Sequence, residues 1–542
     1  MLRSTVLLAV SGTFLEQTTR FESIISLAGS FLVWFLVTLI VQLPIILTWK
    51  LLVYPLYLSP FLKLPQAPQP RSWERFLREP TADDCLNWMQ TIPNDGMIRY
   101  LGLLNTERIL LTSPQGIAEC LQTNPYNYVK SKGIRRILLW LLGDGLVVSE
   151  GSEHKYQRKY MMTAFNFRRI KDLYPLFWHK ASEFCQTLDD HVRKASKNTE
   201  VSVATVEITQ WNSRASLDII CAAGFGEDSN AIQNPDSEFY RNYRLAFIPS
   251  EGAKKVRLLA LLFPIWVLRR LPMQRIQDIH AAEGAVKEQI QKLLAENRRA
   301  LGKSDAKEKL DMISGALRTG AFTDENLLDQ SMTLFAAGHE TASSSLGFAI
   351  YLLAKNPDVQ RRLREEVRSR LPSPSEHATM TPEVLDSLTY LHAVCQESLR
   401  LYNPIPILHR TAVVDTTLLG MKIPKGTDIR IPSWALSKSE HLWGSTALRF
   451  RPERWLEGSK EQASKGGAES QYGFMAFSYG ARSCIGAAFA KAEIAALLAA
   501  VIGRFNVELA DMREDEELLV EHGVVVRIER GLNVRLTPIP GW

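Results

Sequence analysis

The chain has 542 residues, 46% apolar and 23% charged, with 64 basic against 58 acidic side chains and a formal charge of +6. This is ordinary globular usage, and the charge is too mild to argue for a nucleic-acid partner, although a local basic face for an acidic partner is still allowed. Six scattered cysteines (Cys85, Cys120, Cys185, Cys221, Cys395 and Cys484) contain no C-x-x-C pair, so neither a zinc site nor a disulfide framework is indicated.

The first 22 residues form a short tail. Ser23 to Trp49, "SIISLAGSFLVWFLVTLIVQLPIILTW", then carries no charge. A helix needs about 20 apolar residues to span a bilayer, and this stretch has them. It is longer than the roughly 7–15 residues of a signal-peptide core and ends in Trp49 and Lys50 rather than small residues, so a retained anchor over 23–49 is expected. Residues 50–72 follow as a membrane-surface and hinge segment, apolar from Leu51 to Leu62 and then stiffened by Pro65, Pro68 and Pro70. Lys50, Lys63, Arg71, Arg75 and Arg78 follow the span, which places the large domain, 73–542, on the cytosolic side of a single-pass protein.

No repeat is visible, and helical signals dominate that domain. Ile279–Leu301 has a 3.6-residue period, and Thr323 to Lys355 is long, proline-free and apolar on most sides, so it should run through the core. Asn356-Pro357-Asp358 and Thr381-Pro382-Glu383 each start a further helix, the first reaching about Leu371. Strand signals cluster in Gly96–Thr112, in a short pair within "MKIPKGTDIRIPSW", and in Gly523–Ile539, which has the pattern of a hairpin. The charged rows "RRLREEVRSR" and "KSDAKEKL" read as solvated helix faces. The expected fold is mainly α with a small β-rich lobe, preceded by one N-terminal transmembrane helix.

One pattern carries chemistry: Phe477-x-x-Gly480-x-Arg482-x-Cys484-x-Gly486, followed by an apolar helix. The two glycines let backbone pass close to something flat and large. The helix start offers free N–H groups and a positive dipole end that favour a thiolate at Cys484. Arg482 suits a carboxylate, and Phe477 supplies an aromatic wall. A lone cysteine is usually a structural thiol. In this frame, with no second soft ligand, it suits the axial bond to a haem iron, with Cys484 the metal ligand.

The stretch resembles the haem-binding signature of the cytochrome P450 family at every defining position. Further motifs lie in that family's order and extend the likeness over about residues 65 to 540. "AAGHETA" (Ala336–Ala342) resembles its central-helix oxygen-activation motif, "ESLR" (Glu397–Arg400) its Glu-x-x-Arg pair, and "FRPERW" (Phe450–Trp455) the segment supplying Arg454 to that pair. "HKYQR" resembles its Trp-x-x-x-Arg motif, with His154 in place of tryptophan and Arg158 retained.

The resemblance implies a cytochrome P450 fold holding haem b. Cys484, Phe477, Gly480 and Gly486 would frame the cofactor, and His154, Arg158, Arg410 and Arg482 would neutralise its two propionates. Glu340 and Thr341 would form a proton relay, with Gly338 giving the helix local freedom and room for dioxygen; Ala342 leaves Thr341 as the sole hydroxyl. Glu397, Arg400 and Arg454 would form a buried lock, while His339 reads as a helix-face histidine. The implied activity is a monooxygenase taking electrons from NADPH through NADPH–cytochrome P450 reductase, with cytochrome b5 an alternative donor, on the endoplasmic reticulum membrane. Gly133–Leu146, the face near Phe335 and Ala336, and Ile405–Leu408 are candidate pocket walls. All are largely apolar and favour a hydrophobic small molecule. The motif style resembles fungal enzymes that tailor terpenoids, polyketides or alkaloids. Fatty acid or xenobiotic hydroxylation is the alternative. A haem-thiolate isomerase or dehydratase, and a non-catalytic haem module, are further alternatives.

Overall fold

The computed structural model describes residues 34–35, 37–38, 40–68, 78–196, 202–248, 265–268, 270–271, 273–301, 311–376, 380–512 and 516–542. The expected tail 1–22, the first part of the anchor, Arg71, Trp73, Arg75 and the row "KSDAKEKL" lie outside the described residues. The chain divides into two compact units, Met1–Glu79 with Arg99–Arg108, and Pro80–Ile98 with Ile109–Trp542.

Among the described residues of the first unit one helix, Ile40–Lys63, is long and apolar enough by length and composition to cross a membrane. It overlaps the end of the expected anchor and takes in the stretch expected to lie on the membrane surface. Its Trp49–Leu58 portion opens into wider turns around Pro55, which lacks the N–H that an α-turn would use. The segment that follows is tied down by Arg99. Its guanidinium pairs with Glu107, donates to Gln66 Oε1 at 3.0 Å and also donates to the Pro55 carbonyl.

The second unit holds the helices that build the core. They are labelled α1 (Ala82–Thr91), α2 (Lys132–Leu142), α3 (Gly151–Met161), α4 (Tyr174–Ala195), α5 (Ile208–Phe225), α6 (Glu238–Phe247), α7 (Gln274–Leu301), α8 (Asp324–Lys355), α9 (Pro357–Arg370), α10 (Thr389–Leu401) and α11 (Ala487–Arg504). The central α8 begins where the Thr323 side chain accepts from the Asn326 N–H, with Asp324 and Glu325 in its first turn and Lys355 in its last. It is buried on most sides, as its composition predicts, against α5 and α11. The other side of α11 packs on α4 and α9.

Twelve strands are present among the described residues: β1 (Met97–Leu101), β2 (Glu107–Leu111), β3 (Tyr128–Val129), β4 (Ala204–Glu207), β5 (Leu408–Ala412), β6 (Thr416–Leu418), β7 (Met421–Ile423), β8 (Asp428–Ile431), β9 (Phe505–Leu509), β10 (Val520–His522), β11 (Val526–Ile528) and β12 (Asn533–Pro538). One sheet has the order β1-β2-β8-β5-β3 and another the order β4-β12-β9. Two expected pairings are corrected. The strands of "MKIPKGTDIRIPSW" do not pair with each other, since β7 pairs with β6 and β8 with β5. The tail is not one hairpin either, since β11 pairs back to β10 while β12 inserts between β4 and β9. The chain parts between them at Gly531, whose φ of +74° only glycine adopts readily and where a Cβ would press on Glu207 at 2.5 Å.

The row "RRLREEVRSR" is not simply a solvated face. On α9, Arg364 donates to the Ile502 carbonyl at 2.9 Å and Arg368 to the Gly503 carbonyl at 2.8 Å, satisfying the last carbonyls of α11. Glu366 accepts from the N–H groups of Tyr390 and Leu391 at the start of α10. The same end of α11 carries Gly503, against which the ring of Trp542 is packed so closely that a Cβ would lie 2.2 Å from it. Gly503→Ala is expected to lower unfolding stability by about 1–3 kcal/mol, the usual result of overpacking. A Trp542→Ala, Gly503→Ala double variant should show no further loss from the alanine, measured by denaturant unfolding.

Candidate functional site

The loop Phe477–Cys484 is shaped by two residues with positive φ, Ser478 at +55° and Gly480 at +76°. A side chain at Gly480 would meet the Leu121 carbonyl oxygen at 2.0 Å, so glycine is required there by both conformation and space. Gly486 is different. It is the N-cap of α11, and a Cβ on it would make only ordinary contact with Phe165 at 3.6 Å and Cys484 Sγ at 4.0 Å. The Cys484 N–H donates to the Phe477 carbonyl at 2.8 Å, closing the loop onto the helix start. Phe477 is partly buried against the core, with the Lys491 ammonium 5.3 Å from its ring centre.

Cys484 is the one exposed cysteine, the other five being buried. Its thiol hydrogen-bonds the Gly486 N–H and faces the charge of Arg158, and both lower its pKa. Desolvation by its surroundings is larger, so the net pKa is raised. The helix start and arginine therefore do not ionise the sulfur unaided, contrary to the expectation from sequence. A metal cation bound at the sulfur would supply the missing charge, because a metal-coordinated thiol loses its proton outright.

Around this loop the fold gathers cations from four places in the chain. Arg158 on α3 donates to the Ser483 carbonyl at 2.7 Å. Arg410 on β5 is buried and donates to the adjacent His409 carbonyl at 2.9 Å. Lys130 follows β3, whose pairing of Val129 with Thr411 carries it opposite Arg410. Arg482 forms an ion pair with Glu150 through one guanidinium nitrogen and lies over the Tyr126 ring at 5.0 Å, yet its buried Nε and Nη1 have no hydrogen-bond acceptor. Of these four cations, Arg482 and Lys130, the latter at 3.6 Å, pair with a carboxylate, and it is the same one, Glu150. Burial, then the charges of Arg410 and Arg482, press the Lys130 pKa down to about 8 against the pull of Glu150.

His154 does not supply charge to this nest. Burial first, then Arg482, Lys130, Arg158 and Arg410, push its pKa to about 3, so it is a neutral ring held by the Tyr126 hydroxyl at 3.2 Å from Nδ1. As a neutral ring, His154 would meet a carboxylate as a hydrogen-bonding group rather than as a charge. Buried guanidinium N–H groups without acceptors, beside surplus positive charge, fit a ligand bearing two carboxylates. A single sulfur at the same loop fits iron with one thiolate ligand.

Glu340 and Thr341 are engaged elsewhere on α8. Glu340 forms an ion pair with Arg527 of β11, and Ser344 donates to the Val526 carbonyl at 2.6 Å, so the β10–β11 hairpin is fastened to this turn of α8. Thr341 Oγ1 donates to the Ala337 carbonyl at 2.7 Å. Gly338 faces α5, where a Cβ would stand 2.8 Å from Ile220 Cδ1. Its local effect is close helix packing rather than the expected opening, and α8 is continuous through the motif. His339 is buried and neutral, burial lowering its pKa to about 3. Its Nε2 faces the Ser213 carbonyl at 3.0 Å and so carries the proton, while Nδ1 accepts from the Tyr243 hydroxyl at 2.9 Å. Phe335, expected near a pocket wall, is instead a core residue with no exposure, stacked on Phe225 at 4.4 Å. Lys130, Glu150 and Tyr126 were missed because they join the site only through tertiary pairing; Arg527, missed for the same reason, joins Glu340.

A mainly helical chain with one open thiol at a helix start, set beside a cationic nest, has the architecture of a haem-thiolate protein. The family model described as Cytochrome P450 matches residues 85–534. Cytochrome P450 monooxygenase sphH of Aspergillus fumigatus is 39% identical, over 92% of this chain and 92% of its own length. Cytochrome P450 monooxygenase FUM15 of Gibberella moniliformis is 36% identical, over 91% and 90%. ALT8 of Alternaria alternata, also named a cytochrome P450 monooxygenase, is 33% identical over 98% and 97%. The chain belongs to the cytochrome P450 family. It is an oxidoreductase of the monooxygenase kind, and membership implies haem with a cysteine thiolate, a reductase partner, dioxygen and a hydrophobic substrate.

Proposed function

We propose that this chain is a membrane-anchored monooxygenase that inserts one atom of dioxygen into a hydrophobic small molecule of fungal secondary metabolism, a terpenoid, polyketide or alkaloid. The observation that carries the haem site is the exposed Cys484 thiol, bonded by the Gly486 N–H and set beside Lys130, Arg158, Arg410 and Arg482. The fungal source of the similar monooxygenases supports the metabolic setting. Electrons come from NADPH through a reductase. The helix Ile40–Lys63, with Lys63 and Arg78 beyond or at its end, supports an endoplasmic reticulum anchor with the catalytic domain in the cytosol. The proposed division is tail 1–22, anchor 23–49, hinge 50–72 and catalytic domain 73–542, with the helix Ile40–Lys63 carrying the anchor on into the hinge.

When bound, the haem supplies an electron-rich iron that favours cleavage of the O–O bond. Cys484 holds that iron. Arg158, Arg410 and Arg482, with Lys130, bind and orient the cofactor's carboxylates, and His154 adds a neutral hydrogen bond. Gly480 keeps the loop close to Leu121, and Phe477 and Gly486 frame the sulfur. Thr341 presents the hydroxyl that moves protons on the oxygen side, and Glu340, ion-paired with Arg527, is the acid beside it.

Thr341→Ala is expected to raise the hydrogen peroxide released per NADPH consumed and to lower product in proportion. Equal coupling in both forms would remove Thr341 from proton delivery. The function itself is tested by comparing metabolites of a fungal host with and without the protein. One or more compounds gaining a single oxygen, only when NADPH and reductase are present, are expected. Turnover independent of NADPH would instead identify an isomerase or dehydratase.

A further inference from the structure

Glu493 lies on α11, about two and a half turns beyond Cys484, and is completely buried. Three helices meet at it. Ser216 Oγ, from α5, stands 2.7 Å from Glu493 Oε1 and 3.1 Å from the His339 carbonyl oxygen of α8. Glu493 Oε2 has no hydrogen-bond partner. Burial drives the Glu493 pKa up to about 8, the Ser216 hydroxyl opposes this, and no charged side chain contributes. The titratable groups nearest the trio do not supply a counter-charge. His339 is neutral, and Arg527, which acts on it, is ion-paired with Glu340.

The hydrogens can be counted. A serine hydroxyl has one to donate. Were Glu493 ionised, its Oε1 and the His339 carbonyl would compete for that hydrogen, and a carboxylate would be buried without a counter-charge. With a proton on the carboxyl, Glu493 donates to Ser216 and Ser216 donates to the His339 carbonyl, so every close contact has one donor and one acceptor. We propose that Glu493 is carried as a neutral acid and is a positioning residue, linking the thiolate helix α11 through Ser216 to the turn of α8 that presents Glu340 and Thr341. Its functional meaning rests on the monooxygenase reading, while the hydrogen-bond chain itself is tested without turnover.

The sign of the pH effect follows from the two states. Below the ordinary pKa of 4.5 the carboxyl is protonated folded or unfolded. Between there and about 8 only the folded chain keeps the proton. The stability this group lends is therefore whole at low pH, falls as pH rises through that window, and is gone above it. The holoenzyme should show a protonated-carboxyl C=O stretch in the infrared at neutral pH, absent in Glu493→Gln. The melting temperature of Glu493→Gln relative to wild type should climb with pH across the window. In hydrogen exchange corrected for intrinsic rate, amides 337–343 should stay protected in Glu493→Gln, whose amide still donates to Ser216. They should exchange about tenfold faster in Glu493→Leu, equivalent to about 1.4 kcal/mol. If Glu493→Leu does not fold, Ser216→Ala should give the same local loss. A missing C=O stretch at neutral pH, or a glutamine variant as unprotected as the leucine variant, overturns the proposal. Neither result touches the monooxygenase reading, which stands or falls on the NADPH-dependent product.

Discussion

Cys484→Ala is expected to abolish the red-shifted absorption band of the reduced carbonyl complex and all NADPH-dependent product formation. It should leave the fold intact. The side chain is exposed, and the only hydrogen bond shaping its pKa is from the Gly486 N–H. Removing it therefore opens no core cavity, and far-ultraviolet circular dichroism and the unfolding midpoint of the cofactor-free chain should match the parent. The cationic nest also remains, because Arg158, Arg410 and Arg482 are held by Ser483, His409 and Glu150 rather than by the sulfur. Haem that still enters should give a band at the position of an imidazole or weak-field complex, and the contrast with the parent isolates the ligand from the pocket. An unshifted band in the alanine variant would falsify the assignment of Cys484.

The sequence made the linear parts of this molecule legible. The frame Phe477 to Gly486, the run of α8 and the proline that starts α9 are local patterns, set by spacing and backbone preference, and the structure carries each where the residues indicate. What the chain order hides is pairing at a distance. Lys130 reaches the nest because β3 pairs with β5 across nearly three hundred positions of sequence, and nothing near Lys130 marks it. Arg527 becomes the partner of Glu340 because β11 folds back on β10 instead of β12. Electrostatic state is hidden for the same reason. His154 looks like a cation in its motif and is neutral because it is buried and because four positive groups distant in sequence converge on it. The arginines of α9 look solvated by composition, yet Arg364 and Arg368 close the end of α11, a role set by which helix lies alongside.

Glu397→Ala is expected to lower unfolding stability by about 3–5 kcal/mol, the range for removing one partner from a buried ion pair. That is a large share of the roughly 5–15 kcal/mol that holds a typical domain folded. Glu397 and Arg400 have no exposure, and Arg454 is nearly as buried. The carboxylate accepts from Arg400 at 2.8 Å and 2.9 Å, from Arg454 Nε at 2.9 Å, from the Trp455 indole at 2.9 Å and from the Arg451 N–H at 3.0 Å. Alanine would leave two guanidinium groups facing each other with no anion between them. Arg400 would keep its bonds to the carbonyls of Ser437, Ala447 and Arg449, so its charge could not leave for water without breaking the segment that follows β8. Glu397→Gln retains one acceptor oxygen but not the charge and should fall between alanine and the parent. Denaturant unfolding of the three proteins, with soluble haem-loaded yield as a second measure, orders them. A glutamine variant as unstable as alanine would show that the charge, and not the hydrogen-bond geometry, carries the lock. An alanine variant within about 1 kcal/mol of the parent, the scale of an exposed ion pair, would show that it carries none.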